Sequence, residues 1–330
     1  MLWPIGQSTG DGQRLALRAR EIWDELSCAG QIDVQPCGSI FVAHHEDEMR
    51  VLEEFYASKP PGLRLQLLSP EEVLDKSPHI ARDNLQGGLF SETEARVYPP
   101  QAINDLVEYL EQKSGVEFRF GTTITKVEPG RAVAASGEDF EADKIVVCSG
   151  ADFEALLPQE FASASLKKCK LQMMRTVAQP DGWELGPHVA SGLTLRHYPA
   201  FDGCPSIHHV RSRVAEQTPE LDRFGIHVMA SQAPGGELII GDSHEYGDDI
   251  TPFNSQEIDD LIVREIGKIL SIARPTISSR WSGVYLKNFA GLYHGREVFP
   301  GVEVVNGVGG NGMTLSLAVA EQTVAGWDAS

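Results

Sequence analysis

The chain has 330 residues, with 28 lysines and arginines against 47 aspartates and glutamates, a formal net charge of −19. At 42% hydrophobic and 23% charged residues it has an ordinary globular composition, which excludes a disordered or low-complexity chain and accommodates about two domains with sizeable cores. A surface this acidic repels phosphate backbones and anionic lipid, so neither nucleic acid nor a membrane surface is an expected partner; a locally positive pocket could still take an anionic substrate.

Residues 1–10 read as a loop, after which Leu15, Ala19, Ile22, Trp23 and Leu26 mark one face of a helix. A strand Ser39–Ala43 follows Gly38, and a helix covers Asp47 to Ala57. Ser69-Pro70-Glu71-Glu72 is a capping box with proline at the first helical position. Ile103, Leu106, Val107 and Leu110 give a helix over 101–114 that Gly115 ends, and Val116–Phe120 alternates like a strand. Thr122–Val127 is a further strand and Gly137 the turn of a polar hairpin. The apolar run Lys144–Cys148 fits a buried parallel strand. From about 163 to 245 the pattern suggests one large antiparallel sheet, with strands at Leu171–Val177, Leu193–Tyr198, Ser206–Val210, Ile226–Ser231 and Glu237–Ile240. Asn254 and Glu257 form a second capping box ahead of a helix lined by Ile258, Leu261, Ile262, Ile266, Ile269 and Leu270. The chain closes with strand Val302–Val305, a glycine loop and helix Met313–Trp327.

Cys28, Cys37, Cys148, Cys169 and Cys204 are odd in number and never spaced C-x-x-C, so neither a disulfide framework nor a zinc knuckle is expected and a reducing compartment fits. The N-terminus lacks a basic region ahead of its apolar residues, Pro4 interrupts it, and no run approaches the ~18 apolar residues of a membrane helix. The expected address is the cytoplasm. His44-His45 and His208-His209 invite a metal reading, but adjacent residues of a strand point to opposite faces, so no metal is expected. Asp242-Ser243-His244 is not a triad, because a triad is assembled in space rather than from neighbours in sequence.

The sharpest motif is Gly307-Val-Gly309-Gly310-Asn311-Gly312, between a strand and a helix. Glycines let the backbone approach a ligand, and the helix N-terminus offers N–H groups and positive partial charge. A dinucleotide fingerprint of this form normally opens a ~30-residue βαβ unit, which the residues up to Ser330 cannot supply. The bland reading is a tight strand-to-helix turn without a ligand.

Gly307 to Ser316 with Ala320-Glu321 resembles the C-terminal flavin-contacting segment of the FAD-dependent D-amino acid oxidase, sarcosine oxidase and glycine oxidase family. Further stretches resemble that family in the same order: Val97-Tyr-Pro99, Gly121–Glu128, Ile145–Ala151 with Leu156-Leu157-Pro158, and Trp281–Tyr285. Trp3–Gln7 together with Gly241–Tyr246 is similar to a bacterial subgroup tied to aminophosphonate breakdown. The resemblance implies a mixed α/β fold, with an FAD-binding three-layer domain (1–37, 96–162 and 291–330) interleaved with an antiparallel-sheet substrate domain (38–95 and 163–290). It implies oxidation of a small primary or secondary amine to an imine, with FAD contacts at Val127, at Ser149, Gly150 and Ala151, at Gly283, and at Gly309, Gly310, Gly312, Met313 and Thr314. His244 and Tyr285 match active-site positions of sarcosine oxidases, and Arg196 with His197 could meet an anionic substrate group, since arginine forks onto carboxylate or phosphonate. For His244 the alternative is a turn histidine, for Tyr285 a core residue, and for Arg196 and His197 a solvated sheet face.

The family opens with a strand, a glycine motif and a helix that hold the FAD pyrophosphate; this sequence starts about forty residues later, so an N-terminally incomplete binding domain is expected. A late start codon, a fragment, and a chain that binds FAD poorly or not at all, such as a non-catalytic remnant or one subunit of a split oxidoreductase, are the three readings of that difference. The chain as written is expected to purify colourless or to precipitate. Where sarcosine oxidases attach flavin through cysteine this sequence has Gly283, so the flavin is expected to be non-covalent. The family's oxygen-activating lysine is matched by Ile239 and its carboxylate-binding lysine by Thr314, which leaves oxidase against dehydrogenase open.

Overall fold

The computed structural model describes residues 1–328; the last two positions of the expected FAD-side segment 291–330 lie outside them. The molecule is a mixed α/β structure built on a nine-stranded sheet and two three-stranded sheets. In the large sheet the strands run Glu245–Gly247, Leu166–Thr176, Leu238–Gly241, Met229–Gln232, His188–Ser191, Ser39–Ala43, Gly87–Ser91 and Leu65–Leu68, and Ile277–Asn288 also pairs with Leu166–Thr176. All these pairings are antiparallel except Ser39–Ala43 against His188–Ser191, so the expected antiparallel sheet is a mixed one.

Strand alternation sends Ile40 and Val42 to one face and Phe41 and Ala43 to the other. The first face packs under helix Gln256–Ile269, whose Ile258, Ile262 and Ile266 are buried. The second carries Trp3, Ile5, Phe201 and helices Glu46–Ala57 and Ile207–Gln217. With both faces covered, the short strand Ser39–Ala43 is buried throughout, as its unbroken apolar run requires.

The second sheet joins His294–Phe299, Val302–Asn306 and Ile145–Val147. Ile145–Val147 does run parallel to Val302–Asn306, but only Val147 is buried. The third is the polar meander Ile124–Glu128, Arg131–Ala134 and Asp139–Glu141. Helix Asp11–Cys28 packs along Gly312–Asp328 through Leu15, Ala16 and Ala19 against Leu315, Ala318 and Val319. Arg18 bridges the pair, donating to Glu321 at 2.7 and 2.9 Å.

Four local expectations are corrected. Leu193–Tyr198 is a 3-10 turn over Gly192–Arg196: Leu193 and Leu195 are both buried but in different cores, which mimics strand alternation in a segment held between Gly192 and Pro199. Ser206–Val210 begins helix Ile207–Gln217, with Ile207, Val210 and Val214 buried at helical spacing; the window that shows a strand is too short to show that period. Consequently His208 and His209 are helical neighbours with rings 3.9 Å apart rather than opposed strand residues. Val116–Phe120 is irregular, and the second capping box does not form: Ser255, held by Gln172 Oε1 at 2.7 Å, is the cap of Gln256–Ile269. The first box forms as expected, Glu72 N donating to Ser69 Oγ and Ser69 N to Glu72 Oε2.

Candidate active site

The long strand Leu166–Thr176 alternates in a way that builds a floor. Lys170 and Gln172 point to the face under Gln256–Ile269, where Lys170 Nζ donates to the Thr251 carbonyl at 3.0 Å and Gln172 Nε2 to Asp259 Oδ1 at 2.8 Å. Cys169 therefore points the other way. It lies opposite Tyr246 on one neighbouring strand and opposite Tyr285 on the other, so Tyr246, Cys169 and Tyr285 form a cross-strand row. Burial pushes the Cys169 thiol and both phenols above their ordinary ranges, so all three stay protonated and neutral near pH 7.

At one end of the row lies the glycine turn. Gly309 has φ +65°, and a Cβ on Gly310 would stand 3.4 Å from Tyr285 Oη. Asn288 N donates to the Gly307 carbonyl at 3.0 Å, and Asn306 Nδ2 donates to the Gly150 carbonyl at 3.0 Å and Ser149 Oγ at 3.4 Å. The turn formed by Ser149, Gly150 and Ala151 is thereby tied to the glycine loop. Gly312 opens the 17-residue helix Gly312–Asp328, and the nearest atom to a Cβ there would be 4.0 Å away. Bare Cα positions beside a long helix's N-terminal amides fit the ring and ribityl end of a flavin.

At the other end His244 stacks on Tyr246 (centroids 6.2 Å) and on His227 (5.1 Å, 17°), and His197 lies 5.6 Å from His244 and 4.4 Å from His227. His244 Nδ1 bonds the Gly225 carbonyl at 3.2 Å, and His227 Nε2 meets Asp242 Oδ1 at 3.1 Å. Gly225 makes the first contact possible: it has φ +57°, and a Cβ would sit 2.9 Å from His244 Cβ. Burial, with the neighbouring Arg196 charge, lowers His197 to about 2, and burial next to the other two imidazoles holds His227 well below its usual value. Burial raises Asp242, partly offset by His244. Lys287 completes the cleft, its ammonium 5.5 Å from the Tyr246 ring centroid and 5.4 Å from that of Phe289.

Of the residues expected from sequence, the fold groups Tyr285 with Gly309, Gly310, Ser149 and Gly150, and links them to His244 through Cys169 and Tyr246. Gly283 lies in the same strand as Tyr285, opposite Leu171. Met313 and Thr314 face the N-terminal segment: the Met313 carbonyl accepts from Trp23 Nε1 at 3.0 Å, and Thr314 Oγ1 accepts from Trp3 N at 3.1 Å. Val127 packs in the core with Val147 and Val304. Arg196 pairs with Asp222 and donates to the Ile226 carbonyl at 2.7 Å, and Ile239 sits opposite Arg175 in the large sheet. Sequence reasoning missed His227, Cys169, Tyr246 and Lys287, and saw Asp242 only as a sequence neighbour of His244. A lone histidine or cysteine carries no spacing signal; Gly225, two residues before His227, was the one local mark of a close approach.

A three-sheet α/β frame with a glycine turn entering a long helix beside a row of aromatic and imidazole side chains points to a flavin-dependent redox protein as the class. Residues 2–325 match the family model described as FAD dependent oxidoreductase (DAO), and the chain belongs to that family. It is 22% identical over 287 residues to a glycerol 3-phosphate dehydrogenase of Caloramator mitchellensis, covering 84% of this chain and 52% of that protein. It is 25% identical over 174 residues to an N-methyl-L-tryptophan oxidase of Escherichia coli, covering 47% of this chain and 43% of that one. The chain thus spans about half the length of these relatives. The fold is that of glycine oxidase from Geobacillus kaustophilus, with a TM-score of 0.72 at 18% identity, over 96% of this chain and 80% of that one.

Proposed function

We propose that this protein oxidises a small primary or secondary amine, an amino acid or aminophosphonate, to an imine, with FAD held non-covalently. The observation that carries the reading is the Tyr246–Cys169–Tyr285 row, which runs from the glycine turn to His244. FAD, when bound, accepts the two electrons and the hydrogen lost from the carbon–nitrogen bond. Gly309, Gly310, Gly312 and the N-terminus of the last helix would hold its ring end, beside Tyr285. The chain's own residues do the rest. His244, its Nδ1 engaged by the Gly225 carbonyl, presents Nε2 to take a proton from the substrate ammonium, since the neutral amine is the form that is oxidised. Lys287 offers positive charge for a carboxylate or phosphonate, a role Arg196 is poorly placed for because Asp222 already neutralises it. The phenols of Tyr246, which is partly open to solvent, and of Tyr285 line the space between.

The test mixes FAD-loaded protein anaerobically with glycine, sarcosine, 2-aminoethylphosphonate and glycerol 3-phosphate and follows flavin absorbance. Bleaching by one of the amines supports the reading; bleaching by glycerol 3-phosphate alone replaces it with alcohol oxidation.

A further inference from the structure

We propose that His197, His227 and His244 form a binding site for a borderline divalent transition metal, Zn(II) or its analogue Co(II), whose fourth position opens to the cleft at Tyr246. Each imidazole offers one ring nitrogen, and the three nitrogens lie within 4.8 Å of one another, the one group of this kind among the described residues. A tetrahedral site with ~2.05 Å zinc–nitrogen bonds sets the nitrogens roughly 3.3 Å apart, so the rings must close by up to about 1.5 Å.

Two observations point to a ligand beyond proximity. His227 is 4% exposed, yet its Nδ1 has no hydrogen-bond partner among the described residues, and the same holds for His197 Nε2. Buried polar atoms left unpaired in this way call for an occupant. The opposite ring nitrogens are engaged instead: His227 Nε2 by the Asp242 carboxylate and His244 Nδ1 by the Gly225 carbonyl. A carboxylate or carbonyl behind a histidine is the arrangement that fixes tautomer and ring direction for a metal, with the other nitrogen's lone pair turned forward. Of the nearby cations, Arg196 is paired with Asp222 and Lys287 lies over aromatic faces, while Asp242 contributes negative charge directly behind the site. Imidazole-only donors suit Zn(II), Cu(II), Ni(II) and Co(II), not Mg(II) or Ca(II).

Filling this site takes the His244 lone pair away from the amine, so zinc would inhibit reversibly. Metal binding itself is independent of flavin, and the experiment is done without it. The full chain is stripped with a chelator, dialysed, and titrated with Co(II) under a visible spectrometer, with Zn(II) competition and metal analysis after gel filtration. The expected result is one equivalent bound, an intense tetrahedral Co(II) absorption that Zn(II) abolishes, and no response to Mg(II). His244→Ala, at the half-buried end of the cluster, should lose the absorption and weaken Zn(II) at least tenfold. Asp242→Asn, acting from behind His227 rather than as a ligand, should weaken it by about 10–100-fold. Replacing both His208 and His209, an exposed pair with rings 3.9 Å apart, should change nothing. Absence of the Co(II) absorption in the wild type, or metal uptake that survives His244→Ala but is lost with His208 and His209, overturns the proposal whatever the amine oxidation test shows.

Discussion

His244 and Tyr285 stand at opposite ends of one row of side chains, and the two ends should fail differently. His244→Ala removes the proposed proton acceptor, so anaerobic flavin reduction by the amine should slow by roughly 100-fold, with FAD affinity unchanged; stopped-flow absorbance reads both. Gly310→Val puts methyl groups where a Cβ would already stand 3.4 Å from Tyr285 Oη. It should weaken FAD at least tenfold, seen as a shifted flavin fluorescence titration, while far-ultraviolet circular dichroism stays that of the wild type. Among the residues, the glycine turn was legible because glycine spacing is a local signal. His227 and Cys169 were not, because their meaning comes from neighbours 15 to 116 residues away.

Between elements, burial decides which contacts matter. Leu315 is fully buried where the last helix crosses Asp11–Cys28, and Leu315→Ala should cost about 2–5 kcal/mol of stability in a urea melt. Glu321 meets Arg18 in the same interface, but both are substantially exposed, so Glu321→Ala should cost under about 1 kcal/mol. If the ion pair proved the costlier of the two, this account of the helix pair would be wrong. The helix Asp11–Cys28 was readable from Leu15, Ala19 and Trp23, because they recur at helical spacing along one buried face even though Trp23 enters a neighbouring core. Leu193–Tyr198 was not, because its leucines serve two different cores and so alternate without being a strand.

For the molecule as a whole, His188 links the N-terminal segment to the large sheet: it is fully buried, its Nε2 lies 3.1 Å from the Ala95 carbonyl, and its ring packs edge-on against Trp3. Burial, together with the N-terminal amine and Arg96, holds it well below the usual histidine value. The unfolded chain binds a proton at this residue below about pH 6.5 and the folded chain does not, so its contribution to stability is present above that pH and lost as pH falls. Stability should drop by about 1.4 kcal/mol per pH unit below 6.5 from this residue, added to the like contributions of buried His197 and His227, and His188→Gln should lower the total slope by about that one share in urea melts at pH 7, 6 and 5. Fold class was readable from the order of motifs along the chain. The mixed character of the large sheet was not, since it depends on a pairing between residues 39–42 and 188–191 that no local pattern announces.

The measurement that tests the central claim most directly is anaerobic reduction of the protein in excess FAD, followed at the flavin absorbance, with the amines and glycerol 3-phosphate supplied one at a time. This account predicts bleaching by at least one small amine, slowed about 100-fold in His244→Ala and not in Arg196→Lys. Bound flavin that no amine reduces, or that only glycerol 3-phosphate reduces, would contradict it.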